Sequence, residues 1–237
     1  MKILSIGNSF SQDAHRYLHR VAEANGEKFK CVNLMIGGCT LRTHYLNMLD
    51  NKADYLFEFN GEGTGIRVSL AQALASDDWD VVTLQQASHL SFVPESYFPY
   101  LSCLCDYVRK YAPHAKIYIH ETWEYERESA KLQGVGYDSA DRMFSDLTAA
   151  YAAAAERVCA DGIIPSGTAV HNAIRSSTIR MHRDGFHSSR GAGRYLLALV
   201  WYKALTGKSA SPDAFITLDE QISDEERAFL HGIVEKA

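Results

Sequence analysis

The stretch KILSIGNSFS, residues 2–11, decides the fold of this chain. Residues 3–6 form a short apolar run that is typical of a buried strand, and Gly7-Asn8-Ser9 predicts a turn directly after it. Residues 14–24 then carry apolar side chains on one helical face, and Asn25-Gly26 ends that helix. A strand, a turn and a helix in this order predict the first unit of an α/β fold.

The rest of the chain repeats this alternation. Further strands are predicted at residues 30–36, 80–84, 116–120 and 162–165, and further helices at residues 68–75, 97–111, 141–159, 190–205 and 223–235. Strands separated by helices imply parallel pairing through right-handed crossovers. We therefore expect one domain over residues 1–237, a three-layer α/β/α sandwich of about five parallel strands. In such sheets the functional site lies beyond the carboxyl ends of the strands.

Composition excludes several classes of protein. The chain has 237 residues, of which 46% are apolar, and a net charge of -5 from 24 Lys and Arg against 29 Asp and Glu. This apolar content excludes a largely disordered chain. No basic surface for nucleic acid is expected, nor a polybasic patch or an apolar span for a membrane. The five cysteines show no framework spacing, which favours a reducing compartment. A cytoplasmic protein is expected from the sequence as given, and a periplasmic or secreted one if a signal peptide was trimmed.

Residue types that carry chemistry follow the predicted strands. The first strand ends at residues 7–11, the second at Gly37-Gly38-Cys39-Thr40 and the third at Gln85-Gln86. Near the C-terminus, Asp184-Gly185-Phe186-His187 precedes a predicted helix. Each of these segments alone is a weak signal. Together, in this order and at these strand ends, they predict an enzyme active site.

These segments resemble the sequence blocks of the SGNH or GDSL-type serine hydrolases. The resemblance spans nearly the whole chain and is strongest to a bacterial branch that opens with Gly-Asn-Ser-Phe-Ser. It implies a flavodoxin-like SGNH-hydrolase architecture, with Ser9 as the nucleophile and with Asp184 and His187 as the terminal Asp-x-x-His pair. It also implies that the backbone N–H of Gly38 helps bind the oxyanion, or that of Gly37 if the turn shifts by one residue.

The third block departs from the family pattern. The family usually has Asn in a Gly-x-Asn-Asp stretch, whereas this chain has Leu84-Gln85-Gln86-Ala87-Ser88. Some carbohydrate-esterase relatives place a Gln just after this strand. The resemblance therefore assigns the side-chain oxyanion donor to Gln85, with Gln86 as the alternative.

Physical chemistry supports the same set of residues. A serine hydroxyl is a poor nucleophile until a base takes its proton, and a free imidazole is largely neutral at pH 7. The three-residue spacing from Asp184 to His187 allows the carboxylate to orient the ring and to stabilise the imidazolium that forms. Neutral N–H donors at Ser9, Gly38 and Gln85 suit an oxyanion.

Other residues receive weaker assignments. Asn8, Gln86 and Trp123 are predicted to bind substrate, with Trp123 either a sugar-stacking platform or a packing aromatic. Residues 58–65 are rich in glycine and are expected either to shape the substrate pocket or to form a plain surface loop. Ser11 is expected to cap the first helix.

Two further sets of residues leave alternatives open. The aromatic residues Phe92, Tyr97, Phe98 and Tyr100 fit a cleft lining or, more simply, core packing. His182, Asp184 and His187 fit no standard zinc pattern, so no metal and no cofactor are expected.

The resulting functional hypothesis is a serine esterase that acts on a small-molecule or carbohydrate ester. It hydrolyses a small acyl ester, with O-acetyl groups on carbohydrate as the favoured substrate. A lipid or short-chain acyl esterase, a catalytically silent carbohydrate-binding domain on the same fold and a flavin or nucleotide binder are the alternatives. The sequence leaves the oligomeric state and the natural substrate open.

Overall fold

A computed structural model describes residues 1–212 and 217–236 of the chain. In these residues one seven-stranded sheet has the order β4-β3-β2-β1-β5-β6-β7. Its strands are β1 (Lys2–Gly7), β2 (Lys30–Met35), β3 (Tyr55–Phe59), β4 (Glu62–Val68), β5 (Val81–Leu84), β6 (Lys116–His120) and β7 (Gly162–Ile164).

The helices pack on this sheet and on one another. They are α1 (Ser9–Ala24), α2 (Leu41–Leu49), α3 (Leu70–Leu74), α4 (Tyr100–Tyr111), α5 (Ala130–Gly134), α6 (Ala140–Arg157), α7 (Ser166–Ser176), α8 (Ala192–Thr206) and α9 (Asp224–Lys236). The α1 helix packs against α8, which in turn packs against α7 and α9. In the described ranges, none of these helices has the length and apolar character needed to cross a membrane.

The predicted α/β fold is confirmed, and the sheet has two strands more than the five parallel ones predicted. Five strands are parallel, with β1 at the centre between β2 and β5. The additional strands β3 and β4 pair antiparallel at one edge. They include most of residues 58–65, for which the sequence predicts a pocket or surface loop. Asn60 and Gly61 have φ of +51° and +80°, the backbone of the two-residue hairpin turn that Asn-Gly favours.

Helix boundaries depend on local capping. The α1 helix begins at Ser9, five residues earlier than predicted, because Asn8 is its N-cap and the Asn8 side chain accepts from Phe10 N–H. Ser11 is therefore not the cap residue itself. It is the third helical residue, and its hydroxyl accepts from Asn8 N–H at 3.1 Å, which completes a capping box with Asn8. Gly207 ends α8 in the left-handed conformation, which glycine adopts readily at a helix C-terminus.

Candidate active site

Ser9, the nucleophile predicted from the sequence, lies where the central strand β1 meets α1. Ser9 follows the carboxyl end of β1 directly and is the first residue of α1. The turn between them is tight, because a Cβ on Gly7 would lie 2.1 Å from the Ser11 hydroxyl. As a first-turn residue, Ser9 has an N–H without an acceptor inside the helix. The Ser9 hydroxyl and the Ser9 backbone N–H therefore both lie at the N-terminus of α1, the positive end of the helix dipole.

The three predicted triad residues come together although Asp184 lies 175 positions after Ser9 in the sequence. Ser9 Oγ lies 2.8 Å from His187 Nε2, and His187 Nδ1 lies 2.8 Å from Asp184 Oδ2. With the Nδ1–H tautomer, the ring donates to Asp184 and accepts from the Ser9 hydroxyl. The His187 backbone N–H also donates to Asp184 Oδ1 at 2.9 Å. The arrangement is that of a serine with a general base and an orienting carboxylate.

The electrostatics of Asp184 suit a carboxylate that remains charged. Burial acts to raise the pKa of the Asp184 carboxyl, but hydrogen bonds from the ring and backbone N–H of His187 outweigh it and hold the pKa below its ordinary value. The Asp184 side chain is 44% exposed, whereas that of His187 is 18% exposed. The pair therefore opens to solvent on the side of Asp184.

Both residues are carried by a segment of residues 182–188, which we call the 182–188 loop. Its two ends are joined by a β-bridge between His182 and Ser188 and by a hydrogen bond from Arg183 N–H to His187 O at 3.0 Å. The Arg183 guanidinium also donates to Ser188 O. The neck of the loop is thus closed by backbone and side-chain bonds.

A buried carboxylate ties this neck to the helix of the nucleophile. Asp13 is fully buried and lies one turn after Ser9 in α1. Arg183 Nη1 donates to both of its oxygens, at 3.0 and 2.8 Å, and Arg194 Nε of α8 donates to Oδ1 at 2.8 Å. Asp13 was not among the residues predicted from the sequence, although its i+4 spacing from Ser9 places it on the same helical face.

The position of Trp123 does not fit the sugar-stacking role predicted for it. Its side chain is fully buried and packs against Phe10, with ring centroids 4.3 Å apart. The indole N–H donates to Phe186 O at 2.8 Å. A residue without exposed surface offers no face to a sugar, so the substrate-stacking assignment is wrong. Trp123 instead supports the 182–188 loop from the interior of the protein, through its bond to the Phe186 carbonyl.

Gln85 and Gln86 are also inside the protein, at 2% and 0% exposure. Gln86 Oε1 accepts from the backbone N–H groups of Leu41 and Ala87, and its Nε2 donates to Ser96. Gln85 Nε2 donates to Asn8 Oδ1 at 2.8 Å. Both amides are bonded to protein groups, so neither position suits direct contact with a substrate.

Asn8 is likewise buried rather than exposed to a substrate. Its Oδ1 accepts from Phe10 N–H at 3.0 Å, and its Nδ2 donates to Cys39 O at 3.2 Å. The second of these bonds joins the start of α1 to the turn of residues 36–39. The predicted role of Asn8 in direct substrate binding therefore has no exposed surface to act through.

The turn of residues 36–39 carries the other predicted donor. It is closed by Cys39 N–H, which donates to Ile36 O at 3.1 Å, and Gly38 has φ of +63° at its third position. A glycine is favoured there because side chains rarely adopt this conformation. The Gly38 N–H takes no part in closing the turn, and Gly37 and Gly38 are both exposed. Gly38 is therefore available to an oxyanion in a way that Gln85 is not.

The remaining residues considered for a cleft or a metal site are mostly buried or packed against the core. Tyr97 is buried, and Phe92, Phe98 and Tyr100 pack partly buried against the core. His182 is buried, and its Nε2 lies 2.9 Å from Glu124 O. In the part of the chain that the structure describes, no cluster of three or more His, Cys, Asp or Glu side chains is arranged to hold a metal ion.

Comparison with known proteins places the chain in a family. A family model described as "Domain of unknown function (DUF4886)" matches residues 2–228. The chain belongs to the DUF4886 family. The crystal structure of a DUF4886 family protein from Bacteroides uniformis is 34% identical, covers 100% of this chain and 93% of that one, and superposes with a TM-score of 0.91. A comparison with curated proteins found no match.

Other solved structures connect the DUF4886 chain to a wider superfamily. A protein from Slackia heliotrinireducens, described provisionally as an SGNH hydrolase, is 28% identical over 86% of this chain and 98% of that one, with a TM-score of 0.65. A carbohydrate acetylesterase from Sinorhizobium meliloti is 14% identical over 87% and 98%, with a TM-score of 0.55, and shares the fold alone. The fold is that of the SGNH hydrolases.

Proposed function

We propose that this DUF4886 protein is a serine esterase that hydrolyses small acyl esters. The observation that carries the proposal is the continuous pair of 2.8 Å contacts from Ser9 Oγ to His187 Nε2 and from His187 Nδ1 to Asp184 Oδ2. A serine that is merely a helix-start residue has no need of a histidine held by a carboxylate. The shared SGNH-hydrolase fold adds support, although fold alone does not imply activity.

The proposed reaction has two displacements. His187 takes the Ser9 proton as Ser9 Oγ attacks the ester carbonyl, and the resulting imidazolium is stabilised by Asp184. The imidazolium then gives its proton to the departing alcohol as the carbon–oxygen bond breaks, which leaves an acyl group on Ser9. Water attacks this acyl-enzyme with His187 again as base. The carboxylic acid leaves and the serine hydroxyl is restored.

The oxyanion of each tetrahedral intermediate needs fixed donors. We assign the backbone N–H groups of Ser9 and Gly38, because the first has no acceptor in α1 and the second is not used in its own turn. The Gln85 amide was the third donor expected from the sequence, and its bond to Asn8 gives it a different place. In this proposal the oxyanion site consists of backbone N–H groups.

We favour O-acetyl groups on carbohydrate as the substrate. The partial exposure of Ser9 and His187 is consistent with this choice, because an alcohol as large as a sugar needs an open approach to the nucleophile. The carbohydrate acetylesterase from Sinorhizobium meliloti has the same fold, which makes this substrate class a reasonable first choice. Longer acyl chains are the competing choice, and a chain-length series distinguishes the two.

The decisive experiment compares hydrolysis of an aryl acetate by the wild-type protein and by Ser9→Ala. We expect the substitution to lower kcat/KM by about 10³-fold or more, because the nucleophile is removed. The Ser9 hydroxyl bonds only to His187 among the side chains described, so the variant should fold normally. Equal turnover by both proteins would contradict the assignment of Ser9.

The same assay then defines the acyl group and the alcohol. Aryl esters of two to ten carbons, followed by acetylated sugars, should show the highest kcat/KM for acetate. A preference for long chains would replace the carbohydrate proposal with a lipid esterase. No turnover of any ester by a folded wild-type protein would favour a carbohydrate-binding domain, which sugar titration would then test.

A further inference from the structure

A line of buried hydrogen bonds runs from α7 to Asn8, the residue that precedes the proposed nucleophile Ser9. Ser166 Oγ lies 3.1 Å from His120 Nε2, and His120 Nδ1 lies 2.6 Å from Gln85 Oε1. Gln85 Nε2 donates to Asn8 Oδ1 at 2.8 Å. Each of these side chains is at most 2% exposed. The line thus connects three strand ends, those of β1, β5 and β6, beneath the candidate site.

The chemistry of the groups fixes the direction of these bonds. An amide oxygen only accepts, so His120 Nδ1 carries the proton that meets Gln85 Oε1. Burial lowers the pKa of His120 to about 3, so the ring is neutral and its Nε2 accepts from the Ser166 hydroxyl. The neutral ring therefore determines which end of the Gln85 amide faces Asn8.

The next two bonds lead out of the interior to the candidate oxyanion site. Asn8 Oδ1 accepts from both Gln85 Nε2 and Phe10 N–H, and Asn8 Nδ2 donates to Cys39 O. Asn8 Oδ1 thus accepts one bond from its own helix and one from outside it. The Gln85 bond is the one that ties the Asn8 amide to the end of β5 in the core. The Asn8 amide then holds the Cys39 carbonyl, next to Gly38 in the chain.

We propose that Gln85 and His120 are positioning residues for the oxyanion donor at Gly38. They act through Asn8, whose fixed amide holds the turn of residues 36–39 against the start of α1. This inference rests on the proposed function, since it assigns an oxyanion role to Gly38. It also explains the buried position of Gln85, because from there the residue acts through Asn8 on the oxyanion donor at Gly38.

The first test removes each partner singly. Gln85→Met and His120→Leu keep similar volumes and remove the bond between the two side chains. We expect each variant to lose about tenfold in kcat/KM for an aryl acetate, mainly through kcat, since one hydrogen bond that orients the donor is lost. Each variant should also unfold at a lower temperature. Gln85→Met leaves His120 Nδ1 without its partner, and His120→Leu leaves Gln85 Oε1 and Ser166 Oγ without theirs.

A double variant separates positioning from stability. Gln85→Met with His120→Leu replaces both partners by apolar groups, which should recover most of the lost thermal stability. We expect kcat to stay about tenfold low, because Asn8 still lacks its bond from Gln85. Recovery of kcat together with stability would reduce the two residues to a structural role and overturn the proposal.

Two further variants serve as matched controls. His120→Asn keeps an N–H directed at Gln85 Oε1 and should restore kcat to within about threefold of the wild type. Ser166→Ala removes the far end of the line and should lower stability with little change in kcat. A tenfold loss of kcat in both controls would contradict the proposed direction of action.

A readout without turnover keeps this inference separate from the esterase proposal. Cys39 N–H is bonded to Ile36 O and marks the closure of the turn. In Gln85→Met we expect hydrogen exchange at this amide to be about tenfold faster than in the wild type, and in His120→Asn to be unchanged. An unchanged rate in Gln85→Met would overturn the inference, even if Ser9→Ala had already established the esterase. A faster rate in a protein that hydrolyses no ester would support the positioning and contradict only the proposed function.

Discussion

The two halves of the candidate site are built in different ways. The half around Ser9 is continuous with the core: Asn8, Gln85 and His120 are buried and joined by neutral hydrogen bonds. The other half lies on the 182–188 loop, with Asp184 44% exposed, and is held by charged groups. Neutral networks hold orientation where water is absent, whereas an exposed loop needs an anchor that reaches into the protein. Asp13 is that anchor, since it is buried and receives Arg183 from the loop.

The largest expected effect comes from the loop's own reacting groups. His187→Ala removes the base and should lower kcat by about 10⁶-fold, whereas Asp184→Asn should cost less, about 10⁴-fold. The amide that replaces the Asp184 carboxylate can still contact the ring but cannot stabilise an imidazolium. Aryl acetate kinetics on both variants provide the measurement, with circular dichroism as the check of folding. An equal or greater loss in a folded Asp184→Asn would contradict the orienting role.

The next effect tests the anchor of the loop. Asp13→Asn leaves Arg183 and Arg194 without their shared carboxylate, which should cost about 3–5 kcal/mol of the free energy of unfolding. Where the variant still folds, we expect kcat to fall by about 10- to 100-fold because His187 is less well placed against Ser9. Denaturant unfolding and aryl acetate kinetics measure the two quantities.

A matched control for Asp13 is present in the same network. Asp219 accepts from Arg194 Nη1 at 2.7 Å and from Arg16, and its hydrogen bonds include none to the 182–188 loop. Asp219→Asn should therefore leave kcat within about twofold of the wild type. A loss of kcat as large as that of Asp13→Asn would mean that the whole ion network, rather than the clamp on the loop, holds His187 in place.

The comparison of the two halves also explains what the sequence could predict. Ser9, Asp184 and His187 were identified because their spacing and order resemble a known family, and the structure brings these three together. The parallel core followed from alternating apolar strands and helices. The Asn60-Gly61 hairpin was missed, although an Asn-Gly pair between strands is itself a turn signal.

The residues that were placed wrongly share a physical reason. Trp123 and Gln85 have side chains that can bind substrate as well as protein, and residue type does not say which partner lies nearby. Both follow predicted strands, which suggested exposure at the sheet edge. Only the packing of Phe10 over Trp123, and of Asn8 over Gln85, turns these side chains into internal supports. Such contacts join residues 77 or more positions apart and leave no local pattern.

The smallest expected effect concerns acid stability at the outer end of the ion network. The Arg16 guanidinium outweighs burial and lowers the pKa of Asp219 to about 2, from an ordinary value of 3.8. Because the folded-state pKa is below the unfolded one, the Asp219 contribution to stability is fully present above about pH 5 and is lost as the pH falls towards 2. The difference in free energy of unfolding between wild type and Asp219→Asn should therefore shrink across that range, as measured by urea unfolding at several pH values. A difference that stays constant from pH 7 to pH 2 would show that Asp219 stabilises the C-terminal segment by packing rather than by its charge.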